Sequence, residues 1–182
     1  GWKKVVEYLG LDEDSIIQLE VSFRCTVPIM TLAHKVAGDP KTVEGRAGSA
    51  PEWKKVDNYV DLVEALADWS RGLLRADPYK LVALICRYPK QAMELKEEME
   101  NYLPGEVRLG HRDQFSFEPG VLVTNIHQVK GLEFDSVALV EPDEENYPAK
   151  REESRNMIYV GITRTQEDLL LATIRPYSSV LF

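Results

Sequence analysis

Apolar positions along the chain alternate between two spacings. In SIIQLEVS, Ser15 to Ser22, Ile17, Leu19 and Val21 recur every second residue, which predicts a strand. Directly after it Ile29, Leu32, Ala33 and Val36 recur at helical spacing. Thr26 stands where it can cap that helix, Pro28 falls in a first turn that needs no amide donor, and Gly38 before Asp39-Pro40 ends it. The stretch KTVEGRAGSAP, Lys41 to Pro51, is polar, rich in small residues and aperiodic, so residues 41–56 are expected to form a flexible exposed loop. Tyr59, Leu62, Val63, Leu66, Trp69 and Leu73 then mark an amphipathic helix that stops by Asp77-Pro78.

KLVALIC, Lys80 to Cys86, is apolar throughout at strand length, as suits a parallel strand covered on both faces. A helix follows with Ala92, Leu95 and Met99 inward, closed by Pro104-Gly105. Further strands are predicted over Val107–Leu109, Val121–Ile126, Ser136–Glu141 and Asp168–Ile174, with a helix from about Glu152 to Ile162 between the last two. Strands alternating with helices imply βαβ units, hence a doubly wound α/β domain with a mostly parallel sheet and helices on both faces. Ligands of such sheets meet the loops at the carboxyl ends of the strands.

Composition narrows the function classes. The 182 residues are 44% hydrophobic, enough for one domain with its own core. The net charge of -8 gives no global attraction to a polyanion, although a local basic patch remains compatible with it. Cys25 and Cys86 are far apart and form no CxxC or Cys/His cluster, so no metal site is expected, and a reducing, cytoplasmic setting fits. No apolar run approaches the ~20 residues that span a bilayer, so no membrane partner is expected. No G-x-x-x-x-G-K-[ST] phosphate loop is present, yet HQVKGLE places Lys130-Gly131 between two strands in the manner of a phosphate turn.

Three stretches carry unusual polar residues: LEVSFR ending at Arg24, HQVKGLEF over His127–Phe134, and EESRNMIYVGITRT with Arg164 near its end. Singly each is ordinary; an arginine at a helix carboxyl end, for instance, is favourable by roughly 0.3–1 kcal/mol without any ligand. In this order they resemble the second motor domain of superfamily 1 helicases of the UvrD/Rep type, whose motifs read L-x-x-S/N-Y/F-R, H-x-x-K-G-L-E-F and Y-V-[AG]-x-T-R-[AT]. The resemblance implies a RecA-like P-loop NTPase fold without the phosphate loop. That loop and the Mg²⁺-holding acids would then lie in an N-terminal RecA-like, ATP-binding domain outside these 182 residues, with residues 1–14 as a short helix leading into the second domain. The chain starts at Gly1, which fits an excised single domain, 1–182.

Carried over by resemblance, Arg24 and Arg164 are expected to act as arginine fingers on the terminal phosphate of ATP, where a fixed guanidinium can be worth roughly 10³–10⁵ in rate. Lys130 and Gly131 would shape the loop under the nucleotide and Glu133 would accept hydrogen bonds from its sugar. His127, Asn125, Thr124 and Arg87 would belong to the DNA track. The family places Thr two residues before the histidine, where this chain has Asn125 with Thr124 one earlier; the family's R-x-N after the KLVALIC strand is here Arg87-Tyr88-Pro89. PGEVRLGHRDQFSFEPG is too short to hold the extra domain that larger relatives insert, which implies a lean member. The implied partners are single- or double-stranded DNA and the N-terminal domain, and the implied cofactors are ATP and Mg²⁺ in the full-length protein, with none tightly bound to this chain. The alternative is a stand-alone interaction module with relic motifs, separated from a motor by what is encoded upstream of Gly1.

Overall fold

A computed structural model describes residues 2–10, 21–22, 24–39, 42–111 and 115–182. The elements run α1 (Trp2–Leu9), β1 (Val21–Ser22), α2 (Val27–Ala37), β2 (Glu44–Gly45), β3 (Glu52–Lys55), α3 (Tyr59–Ala76), β4 (Leu81–Cys86), α4 (Pro89–Met99), β5 (Val107–Leu109), β6 (Gly120–Asn125), β7 (Phe134–Val140), α5 (Glu152–Ile162) and β8 (Thr165–Thr173), with a short 3-10 turn at Ser179–Leu181. Of the strand predicted over Ser15–Ser22, only β1 falls within the described residues.

Six strands form one all-parallel sheet in the order β3-β8-β7-β4-β6-β5, while β1 and β2 pair parallel as a separate ribbon. Period-two alternation sorts the core onto two faces. Ala83, Ile85, Leu122, Val137, Leu139, Leu169 and Leu171 pack with Ile29, Ala33 and Val36 of α2 and with Ile158 and Ile162 of α5. Val82, Leu84, Val121, Val123, Ala138 and Leu170 pack with Leu62 and Leu66 of α3 and with Ala92, Leu95 and Met99 of α4. The apolar run of β4 is thus buried at all six positions because helices cover it from both sides.

Three expectations change. Residues 41–56 are not simply a loop: they supply β2 and β3, the latter pairing with β8 at the sheet edge although all four of its residues are exposed. The Thr26 hydroxyl does not cap α2; it is buried without a hydrogen-bond partner, and the chain at Gly48 lies so close to it that a Cβ there would sit 2.3 Å from Thr26 Cγ2. Third, β8 starts at Thr165, three residues before the predicted Asp168, because Phe134 of β7 pairs with Thr165.

The last difference relocates the functional motifs. Glu133 and Arg164 come immediately before β7 and β8, at the amino ends of those strands, whereas Arg87 and His127 come just after β4 and β6, at the carboxyl ends. One crossover joins the two ends. Asn125 is level with Cys86, while Ser136 is level with Val82. Residues 126–133 therefore return about 20 Å along the strands. No helix is used; Ile126 and Val129 are buried beneath this strap against the α2/α5 side of the core. Gly161 of α5 lies so close to the sheet that a Cβ would stand 2.5 Å from Leu139 Cδ2.

Beside the amino ends, Lys80 bonds Asp168 at 2.6 Å and Glu167 at 2.9 Å, and Ser136 Oγ donates to Asp168 at 2.9 Å. Burial lowers the Lys80 pKa, but the hydrogen bonds to Asp168 and Glu167 outweigh it and raise the value above the ordinary 10.5. The raised value means a stabilisation fully present below the unfolded-state pKa and lost as pH climbs through the folded one. Lys80→Met is expected to cost about 1–2 kcal/mol in urea unfolding at neutral pH. The deficit should shrink in the alkaline range, and a pH-independent deficit would assign the effect to packing.

Candidate nucleotide-facing cluster and strap

Arg24 follows β1, Glu133 ends the strap and Arg164 follows α5, yet the fold brings all three together. Arg24 Nε meets Glu133 Oε1 at 2.7 Å with both side chains part-exposed, and Gln166 Nε2 donates to Glu133 Oε2 at 3.3 Å. Arg164 is held more firmly: Nε donates to Val160 O at 3.2 Å, Nη1 to Leu132 O at 3.1 Å and Nη2 to Thr163 Oγ1 at 3.2 Å. It thereby caps α5 and ties it to the strap. A guanidinium has five N–H groups, so two of Arg164 remain beyond these three bonds.

The charges do not balance. Burial, then the cation of Arg24, pull the Arg164 pKa down, while Glu133 opposes them. Among the described residues of the cluster Arg24 pairs with Glu133 and Arg164 feels that carboxylate only through space, and such a surplus of cation favours an anion. The buried Cys25 thiol, 3.7 Å from Thr163 O, is raised in pKa chiefly by desolvation, with Arg24 and Arg164 pulling the other way, so it acts as packing rather than as a nucleophile.

At the opposite end of the strap His127 is exposed, and Arg87 Nη1 lies 2.8 Å from its Nε2. Because a guanidinium only donates, Nε2 is the acceptor. Arg87 itself is buried, packs on the Tyr88 ring at 4.7 Å and approaches Glu153 at 3.8 Å. Asn125 is buried and its Oδ1 accepts from the His127 amide at 3.1 Å; Thr124 is fully buried and donates to Gly110 O at 2.8 Å. Asn125 shapes the start of the strap from within, whereas Thr124 ties β6 to the residue after β5 and has no surface to offer a ligand. Lys130 is exposed and, with His127, Ile126, Asn156 and Met157, borders a cavity of about 220 Å³. Gly131 has φ 85°, a left-handed turn that a side chain would strain.

The amino-end cluster thus gathers Arg24, Glu133 and Arg164, the carboxyl-end group gathers Arg87, Asn125 and His127, and Lys130-Gly131 lies between them on the strap. Gln166 and Arg46, which also touch the cluster, are missed by the sequence patterns; the one hint was a lone long cation in the small-residue stretch EGRAGSAP.

Comparisons with known proteins bear on the fold and the family. Residues 106–176 match the family model of the UvrD-like helicase C-terminal domain. No curated protein sequence matches the chain. The fold is similar to that of the C-terminal domain of a possible DNA helicase from Lactobacillus plantarum WCFS1, with TM-score 0.73 and 23% identity over 88% of this chain and 92% of that one. It is also similar to part of the Sulfolobus solfataricus SWI2/SNF2 ATPase core solved with dsDNA, with TM-score 0.56 and 9% identity over 88% of this chain and 34% of that one. The sheet and its two helical layers are therefore an α/β fold similar to that of RecA-like helicase C-terminal domains, and residues 106–176, from β5 through β8 and including the strap and Arg164, are the part that matches the UvrD-like helicase C-terminal domain model.

Proposed function

We propose that this chain is the second motor domain of an ATP-dependent DNA helicase or translocase, supplying Arg24 and Arg164 to an ATP site completed by a partnering N-terminal RecA-like domain. The observation that carries this reading is the convergence of Arg24, Glu133 and Arg164 into one part-exposed cluster with a surplus cation. Its donor set suits the outer oxygens of a phosphate group, since planar guanidiniums match them in a fixed fork. Glu133 supplies an acceptor for sugar hydroxyls once Arg24 swings from it to the anion. In this reading Mg²⁺ is held by the partner domain's acids together with the phosphates, since this ion is typically bound through one or two carboxylates and substrate oxygens. Bound Mg²⁺-ATP would supply the hydrolysable phosphoanhydride; this chain's residues would bind, orient and neutralise it.

In the same reading the exposed His127 and Lys130 take the single-stranded DNA side, with Arg87 holding His127 in place. The strap then joins nucleotide contacts at Glu133 to DNA contacts at His127 within one short segment. A change at one end reaches the other through covalent chain.

The direct test compares this chain alone with the same chain joined to an ATP-binding RecA-like domain. Purified residues 1–182 are expected to show no Mg²⁺-dependent ATP hydrolysis above buffer, and the joined protein to show DNA-stimulated turnover. Robust hydrolysis by the chain alone would overturn the two-domain site.

A further inference from the structure

We infer that Arg46 is a positioning residue for Arg24, and that residues 42–51 form the clamp that sets where that guanidinium points. The inference rests on the reading of Arg24 as an anion-binding group. Arg46 grips the Arg24 segment in two ways. Its Nη2 donates to Arg24 O at 3.4 Å and to Gln166 O at 2.5 Å, and its own carbonyl accepts the Val27 amide at 2.8 Å. Backbone and side chain of one residue thus hold both ends of the turn from Arg24 to Val27. Two residues on, Gly48 presses against Thr26 with no room for a Cβ.

The clamp is anchored on β8 as well. Arg46 Nη1 meets Glu167 Oε1 at 3.3 Å, Glu167 in turn binds Lys80, and Gln166 donates to Glu133, the partner of Arg24. One guanidinium therefore fixes the backbone of Arg24 relative to the strand whose side chain helps hold Glu133. The parallel pairing of Glu44–Gly45 with Val21–Ser22 delivers Arg46 to this place. A lysine ammonium could stand in for Nη2 between the two carbonyls, but it has no second nitrogen to meet Glu167 at the same time.

The test reads Arg24 directly, as the NMR signal of its Nε–H in the 182-residue chain, where the Glu133 bond slows exchange with water. In Arg46→Ala that proton is expected to exchange at least ~10-fold faster while the β4, β6 and β7 amides keep their protection. If the alanine variant does not fold, Arg46→Lys, which keeps stem and charge, carries the same readout with a smaller change. In the joined protein, Arg46→Ala should lower kcat by about 10²-fold with KM for ATP changed little, the mark of a misplaced catalytic group. Unchanged Arg24 exchange in a folded variant overturns the inference, as does unchanged kcat in a joined protein that hydrolyses ATP. Faster Arg24 exchange in a joined protein without any ATP turnover upholds the clamp and removes the nucleotide reading instead.

Discussion

Arg164→Ala in the joined two-domain protein is expected to lower ATP turnover by at least ~10²-fold, while affinity for single-stranded DNA without nucleotide changes little. The size follows from where the charge sits: part-buried, beside a second guanidinium, and opposed by one carboxylate. The same side chain also ties Val160, Leu132 and Thr163, so truncation loosens the join between α5 and the strap. Arg164→Lys separates the two roles. It keeps the cation but can satisfy only part of the three-bond tie, so a lysine variant with native thermal stability and low turnover assigns the loss to phosphate contact. A variant with full turnover would remove Arg164 from the catalytic group.

Asp143→Ala should have the largest effect on folding, about 3 kcal/mol in urea unfolding. Asp143 is fully buried, and its Oδ1 accepts from the amides of Glu145 at 3.0 Å and Asn146 at 2.8 Å and from Asn146 Nδ2 at 3.1 Å. Its Oδ2 faces Arg175 at 3.5 Å, and its backbone makes the isolated bridge to Tyr177. Alanine strands two amide donors and frees Asn146, which otherwise accepts from Gln91 of α4 at 2.9 Å. Asp143→Asn retains an acceptor for both amides and should recover more than half of the loss. Equal losses for the two variants would show that the charge opposite Arg175 matters more than the amides.

Much of the central sheet could be read from the chain because its signal is local. The six-residue apolar run of β4 is long enough only for a strand, and α5 is found at the predicted Glu152–Ile162 because Ile158 and Ile162 hold the helical spacing. β3 escaped because nothing in EWKK is buried; its strand character comes from backbone pairing with β8, a tertiary fact without a hydrophobic signature. Resemblance placed Thr124 and Asn125 in the DNA track, but they end a strand covered on both faces, where their side chains turn to internal partners. The motifs also singled out candidate residues without showing at which end of the sheet they lie. That depends on the strap returning to the amino ends, which a short sequence between two strands does not reveal.

The strap has a mechanical consequence for how the domain comes apart. β6 and β7 both bond to β4 and are joined by only eight residues, 126–133. Withdrawing β7 from one side of β4 soon draws on β6 on the other, so the three strands open together or hardly at all. An inserted residue in the strap would add slack to that tie. The centre of the sheet then behaves as a single cooperative block, and the cheaper openings are left to the exposed edge at β3 and to the ribbon of β1 and β2, which leads directly into Arg24.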